Sequence, residues 1–381
     1  MRWVRFSGLL ASVLAVACGG SGGGPILTTG TAKLGEANPG LTAEQVASFA
    51  RGKAVFERRF GLADGHGPDF NTSSCRSCHE IPTSGGSSPL YRNFSIVANR
   101  NGNVMVPVLD DEQLVARTFS YVRPMREAIP AGAQIVAQRN APPMFGVGLF
   151  ARLTNDEILA NRDTNDIDGD GVSGRINVDG VLVGRFGYKA QEANMEDFVR
   201  GPIFNHMGIT TDPLSFGSPQ VPAPEIPTRD NDGVPDPELS FQELTDLVFY
   251  SEQLAPPQPL PLDETATNGA ALFTQIGCAK CHIPNIAPSK LTVDPYTDLL
   301  LHDMGPALDD GVVMGVAGSS EFRTQPLWGL RHHAPYLHDG RADTVDDAIR
   351  LHGGEAQAIR DAYVALAAGD RDAILAFLET R

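Results

Sequence analysis

The chain has 381 residues, 42% of them apolar, enough to bury a core and to form roughly two or three domains. Its 40 glycines and 28 prolines predict abundant loops and few long regular elements. A net charge of -16 disfavours nucleic acid as a partner, 20% charged residues without long runs of one sign argue against wholesale disorder, and five cysteines are too few for a disulfide scaffold.

Arg2 and Arg5 precede the mostly apolar run Phe6–Ala17. That run is too short to cross a bilayer, which takes about 20 residues. It suits an export signal over residues 1–17. Leu14-Ala15-Val16-Ala17-Cys18 resembles a bacterial lipoprotein processing site, with Cys18 as the lipidated N-terminus. Ordinary cleavage after Ala17, leaving an odd thiol, is the alternative. The expectation is a periplasmic protein or outer-membrane lipoprotein that meets a membrane only through Cys18. Residues 18–40, which open on the glycine-rich stretch Gly19–Gly24, read as a flexible tether.

Thr42 with Gln45 forms a capping-box pattern, and Val46, Phe49, Phe56 and Phe60 follow at helical spacing. This helix delivers Cys75-Arg76-Ser77-Cys78-His79. C-x-x-C-H is the attachment pattern of c-type haem: two thiols add to the vinyl groups, and the next imidazole sits beneath the iron. A second copy, Cys278-Ala279-Lys280-Cys281-His282, follows Gly269-Ala270-Ala271-Leu272-Phe273, which echoes Gly52-Lys53-Ala54-Val55-Phe56. A zinc ribbon does not suit cysteine pairs about 200 residues apart, and a redox dithiol does not explain a histidine after both pairs. The reading is two covalent haems on a divergent internal duplication.

Between the motifs, Asp166-Ile167-Asp168-Gly169-Asp170-Gly171 follows the start of a calcium loop, with carboxylates at alternate positions and a glycine at the sharp turn. Asn177 stands where an EF-hand has its bidentate Glu, so another ligand is needed or binding is weaker. Asp230-Asn231-Asp232-Gly233 with Asp236 is a second candidate, and a solvated acidic turn is the alternative at both. Ala255-Pro256-Pro257-Gln258-Pro259-Leu260-Pro261 reads as a stiff linker between a domain at 41–254 and one at 255–381. Thr344-Val345-Asp346-Asp347 opens a helix with acidic residues in its first turn, and Asp370–Leu378 supplies a last one. The expected fold is mainly α: two cytochrome c-like haem domains, the first enlarged by loop-rich insertions with a calcium-type loop.

From about Leu41 to Arg381 the chain resembles the bacterial di-haem oxidoreductases once labelled thiol oxidoreductases, which are related to di-haem cytochrome c peroxidases and MauG. The resemblance rests on Asn71-Thr72-Ser73-Ser74-Cys75, Ala141-Pro142-Pro143-Met144-Phe145-Gly146, the Asp-Gly loop and Gly184-Arg185-Phe186-Gly187-Tyr188-Lys189. It continues through Met207-Gly208-Ile209-Thr210, the stretch from Tyr296 to Gly305, Leu337-His338-Asp339-Gly340-Arg341 and His352-Gly353-Gly354-Glu355.

The resemblance implies a peroxidase-type reaction, with hydrogen peroxide meeting an open first haem and a second haem storing or relaying electrons. A small periplasmic redox protein or an unidentified substrate would be the donor. At the fixed offset after Pro335-Tyr336-Leu337-His338-Asp339-Gly340, where relatives have Met or Tyr, this chain has His352. His352 is thus the implied sixth ligand of the His282 haem; the alternative is that His352 only bonds the helix end and Met304 or another residue ligates. No histidine lies between His79 and His206, which favours an open first iron. His206, after Gly201-Pro202-Ile203, takes the place of the relatives' distal carboxylate, an acid–base role; a loop histidine or an iron ligand is the other reading. Tyr188 occupies the place of the inter-haem tryptophan, and Trp328 is the alternative hole carrier. Arg185, Arg323, Arg331 and Arg341 are candidates for haem propionates, with surface ion pairs the alternative for each. Two other functions stay open: an electron carrier with both irons saturated, and an oxygenase of an organic substrate.

Overall fold

Thr42 opens the first helix as its sequence predicts. Its hydroxyl accepts the Gln45 amide at 3.2 Å, while Gln45 Oε1 accepts the Thr42 amide at 2.9 Å. The chain is described by a computed structural model over residues 32–109, 113–122, 128–211, 232–286, 291 and 293–381. The signal at 1–17, Cys18, the glycine-rich start of the tether and Asp230-Asn231 lie outside the described residues.

Helix α1 (Ala43–Glu57) buries Phe49, Val55 and Phe56 against α4 (Phe241–Gln253). Gly52 makes the crossing: a Cβ there would stand 1.9 Å from the Asp246 carbonyl oxygen. Val46, expected on the same face, is 52% exposed, so the buried stripe is narrower than the spacing suggests. The second half repeats the device. Helix α5 (Glu264–Gln275), capped by Asp263, crosses the last helix, α8 (Ala368–Glu379), at Gly269, where a Cβ would lie 1.8 Å from the Ala373 carbonyl oxygen. Between them come α6 (Val345–Leu351), capped by Thr344 as expected, and α7 (Gln357–Ala365). Earlier in the chain lie the short α2 (Asn155–Leu159) and α3 (Met195–Met207).

The insertion of the first half is not only loop but carries a small antiparallel sheet. After β1 (Asp69–Phe70), strand β2 (Phe94–Asn101) pairs antiparallel with β3 (Val104–Pro107), β4 (Val115–Ala116) and β6 (Ile135–Arg139), in a register that sets Ile96 opposite Ala137. Strand β1 pairs with β5 (Phe119–Ser120). In β6, Ile135, Ala137 and Arg139 point inward and Val136 and Gln138 outward, the period of a half-buried strand. The inner face packs on Val312 from the second half. Two further hairpins, β7 (Val178–Asp179) with β8 (Leu182–Val183) and β9 (Leu301–Asp303) with β10 (Glu321–Arg323), are short.

Two connecting segments differ from their sequence reading. The described end of the tether is docked rather than free: Asn38 N donates to Gln253 O at 2.8 Å, Ala255 N donates to Glu36 O at 3.0 Å, and Leu34 joins the α1–α4 core. The proline-rich linker begins inside the protein. Leu254, Ala255, Pro256 and Pro257 are buried, with Pro256 against Gly146 and Pro257 against Gly329. Proline is apolar as well as stiff, and here its rings fill core space. The two halves also share a hydrophobic cluster, in which Leu149, Phe150 and Phe186 meet Ile286, Leu300 and Trp328. Among the described residues no helix is long and apolar enough to cross a membrane.

Candidate functional site: two cysteine–histidine motifs with unequal surroundings

Ser74 caps the one-turn helix Cys75–Ser77, its hydroxyl accepting the Ser77 amide at 3.3 Å. The turn swings His79 under Phe56, with ring centroids 6.1 Å apart. His79 Nδ1 meets the carbonyls of Gly86 and Pro142, each at 3.1 Å. A carbonyl only accepts, so Nδ1 carries the proton and the lone pair is on Nε2. The second motif follows the same plan. His282 lies beyond the turn Cys278–Lys280, 6.5 Å from Phe273, and its Nδ1 donates to Tyr296 O at 2.9 Å. His352, at the C-terminal end of α6, donates Nδ1–H to Ala348 O at 2.7 Å.

Three imidazoles thus share the tautomer that leaves Nε2 for a metal. None of these Nε2 atoms has a protein hydrogen-bond partner among the described residues. Burial keeps all three neutral: it lowers the pKa of His79 and His352, and that of His282 to about 4. Burial also pushes the Cys75 and Cys278 thiols up to about 12. A redox dithiol needs a depressed thiol pKa, so these pairs are poor oxidoreductase dithiols. Nor do the two pairs gather into a metal cluster among the described residues. The donor set fits covalent haem: paired inert thiols, each followed by an imidazole whose Nε2 faces no protein group.

The two motifs differ in what stands near the proximal imidazole. His352 lies close enough to His282 to depress its pKa. Near His79 stands His206, in the last turn of α3, which has the other tautomer. Its Nδ1 meets Asn71 Nδ2 at 3.2 Å, and its ring edge packs on Phe94 at 4.4 Å. Burial, then the Arg117 cation, then His79 push its pKa down to about 4. The end of α3 is fastened to the segment leading to Cys75, with Asn71 N donating to His206 O at 2.8 Å and Gly67 N to Met207 O at 2.9 Å.

Two cavities of about 340 and 230 Å³ adjoin this region and share Asn71, Arg92 and Phe119. Burial raises the Cys78 pKa, the nearby Arg92 cation works against that rise, and the buried Arg92 Nε has no partner. An unpaired buried donor beside a haem motif fits an anionic propionate.

Residues 125–381 match the family described as "Di-haem oxidoreductase, putative peroxidase". The chain belongs to the di-haem oxidoreductase family. The match takes in the second cysteine–histidine motif and His352, and begins beyond the first motif. No curated protein matches the chain. Among solved structures it is similar to the diheme peroxidase BthA of Burkholderia thailandensis, at 16% identity over 92% of this chain and 87% of that one, TM-score 0.47. It is also similar to a MauG-like protein associated with microbial copper homeostasis (17% identity, 62% and 87% covered, TM-score 0.33) and to hydrazine synthase of Kuenenia stuttgartiensis (13%, 100% and 100%, 0.39).

Other sequence candidates of this di-haem oxidoreductase sit as follows. Tyr188 is held between halves: its hydroxyl donates to Asn140 O at 3.0 Å, its ring meets His338 edge-on at 6.4 Å, and its carbonyl accepts Arg323 N at 2.8 Å. Burial raises its pKa, and a carbonyl cannot take the phenolic proton. Trp328 lies in the shared core, stacked on Phe150 at 5.3 Å.

The four propionate candidates all make protein contacts. Arg185 turns to the carbonyls of Phe150 and Leu153 and to Asn155 Oδ1. Arg323 bonds Gly187 O and Gln325, Arg331 bonds Gln258 O and Arg381 O, and Arg341 pairs with Asp339. The two buried guanidinium groups among them, of Arg185 and Arg323, give part of their forks to loop carbonyls. Arg92 is the basic group that sequence reasoning missed, since nothing in Tyr91-Arg92-Asn93 marks it.

The acidic loop is also composed differently. Carboxylate oxygens of Asp163, Asp166 and Asp168 lie within 4.8 Å of one another. Asp170 instead faces Lys280 of the second haem motif at 3.0 Å. The Asp163–Gly174 bridge brings Asp163 into the group. Asn177 is buried and bonds Lys189 O and Met314 O, so it is no twelfth ligand. Ser173, at the loop's far end, donates through both backbone and hydroxyl to Glu355.

Proposed function

We propose that this protein is a peroxidase-type oxidoreductase that reduces hydrogen peroxide at the haem of His79, while the haem of His282 and His352 relays electrons. When bound, the haem irons supply the peroxide site and the redox equivalents. Reduction of one peroxide to two waters consumes two electrons and two protons, so an electron donor is required. A small periplasmic redox protein or an oxidisable substrate fills that role.

The observation that carries this reading is the inequality of the two motifs. Beside His282 stands a second neutral imidazole with a free Nε2, fit to close the sixth position. Beside His79 the nearby imidazole is His206, whose tautomer is not that of a ligand. His206 then acts as the distal polar group that assists O–O cleavage, next to the Arg117 cation. Arg92 would hold a propionate of the first haem. Tyr188 packs between the halves, and its carbonyl-bound hydroxyl favours electron passage through the ring over a deprotonated radical. Asp163, Asp166 and Asp168 would hold calcium. Export and lipidation at Cys18 would place the enzyme in the periplasm or on the outer membrane.

Electron paramagnetic resonance of the ferric protein tests the reading. One high-spin and one low-spin haem are expected, with peroxide consumed when a reduced donor is supplied. Two low-spin haems that ignore cyanide would make the protein a carrier. Turnover of an organic substrate with oxygen and none with peroxide would make it an oxygenase.

A further inference from the structure

The ring of His206 is held by a side-chain amide whose own orientation is not free. Asn71 Oδ1 accepts the Thr118 backbone amide at 2.9 Å. Its Nδ2 donates one hydrogen to Ala116 O at 3.1 Å and points the other at His206 Nδ1 at 3.2 Å. Flipping the amide would set Oδ1 against a carbonyl oxygen and the NH₂ group against an N–H, so the backbone at residues 116–118 fixes which end faces the imidazole. Asn71 also holds His206 through the main chain, donating its own N–H to His206 O. A donor at Nδ1 forces the lone pair onto Nδ1 and the proton onto Nε2. This is the reverse of His79, His282 and His352, each of which gives Nδ1–H to a carbonyl.

We infer that Asn71 is a positioning residue that fixes His206 as an Nε2–H hydrogen-bond donor towards the ligand side of the first haem, and so bars it from acting as a base or as an iron ligand. The inference rests on the reading of the first haem as open. It adds a role that Asn71 plays only through His206. A bound peroxide or other anionic ligand is then stabilised by a neutral N–H, which needs no protonated imidazole. The proton that reaches the leaving oxygen must come from a group other than His206 Nδ1, which faces an NH₂.

The carbon monoxide adduct of the reduced holoprotein reads the tautomer directly. A donor facing the bound oxygen end lowers the C–O stretching frequency, and a lone pair raises it. The expected order is wild type lowest and H206L higher. N71D, recorded at alkaline pH where the imidazole is neutral, is expected above H206L. The carboxylate keeps an acceptor for Thr118 N but draws the proton to Nδ1, turning the Nε2 lone pair outward. N71L, which removes the donor to Nδ1 together with the bonds to residues 116 and 118 and supplies no acceptor in its place, should fall between wild type and N71D. In an H206L background, N71D should shift nothing. An unchanged stretch in N71D, or the same N71D shift with and without His206, overturns the inference while leaving the open haem intact. Failure of the wild type to form any adduct at the first haem overturns the open-haem reading and the inference together.

Discussion

Replacing Gly269 with alanine sets two effects of known sign against each other. Gly269 lies inside α5, and in a free helix alanine is favoured over glycine by about 1 kcal/mol. In this fold the new Cβ would stand 1.8 Å from the Ala373 carbonyl oxygen and 2.4 Å from its carbon. Ordinary contact begins near 3.4 Å, so α5 and α8 must part by about 1.6 Å. The obstacle is backbone, which cannot rotate away. Parting the helices loosens Ala266, Phe273, Ile374 and Phe377, the core beneath the second haem motif. Overpacking of this kind costs about 1–3 kcal/mol, occasionally more, and lost contacts put this site at the upper end. A net loss of about 2 kcal/mol remains after the propensity gain. Thermal melting of the holoprotein should show Tm lower by several degrees, since about 1 kcal/mol corresponds to 2–4 °C in a protein domain of 150–250 residues. Gly369, near the start of the same α8, serves as control, because a methyl group added there would meet nothing within 4 Å: G369A should melt at or above the wild type. A G269A protein that melts no lower than wild type would refute the close-crossing argument.

Three further outcomes follow from the same structure. His302 is buried between Asp298 (2.8 Å) and Glu355 (3.1 Å); burial works against its charge, yet the carboxylates hold its pKa well above the usual histidine range. A raised folded pKa contributes stability that is complete below the unfolded value and fades as pH rises through the folded one, so the Tm advantage of wild type over H302Q should shrink on the alkaline side, and an advantage independent of pH would contradict it. D163A should abolish calcium binding measured by calorimetry, whereas D170A should spare it and leave Lys280 on the residue-170 carbonyl alone. R92L should lower the midpoint potential of the first haem in a redox titration and leave the second unmoved, because it removes a cation from one site only.

What could be read from the sequence was whatever chemistry keeps contiguous. Haem attachment needs two thiols and an imidazole within five positions, so both motifs stood out, and the helix caps at Thr42 and Thr344 are equally local. The glycine echo at Gly52 and Gly269 was visible as a repeat, but that both glycines admit a crossing helix backbone was not. Strand β6 escaped because its alternation spans only five residues, and β2 because it does not alternate, burying Ile96, Val97 and Ala98 in succession. Asn71 and His206 are 135 positions apart, and only the fold makes them partners. Asp163 precedes the D-x-D-x-D pattern and joins Asp166 and Asp168 only in the fold, whereas Asp170 fits the pattern and faces a lysine. The contacts of Arg185, Arg323 and Arg331 were not legible for a related reason: their residue type announces an anion, but loop carbonyls take part of the same forks.

The burial of Leu254–Pro257, together with the cluster that Phe150 and Trp328 build across the midpoint of the chain, bears on how this molecule can be taken apart. A protease that nicked the exposed end of the proline segment, at Pro259 or Leu260, would leave two fragments still gripping one another. Either fragment made alone would present a raw apolar wall to solvent. Truncation to a one-haem piece is therefore a route to aggregate rather than to a miniature enzyme, and co-expression of both pieces is the way to recover a native-like particle.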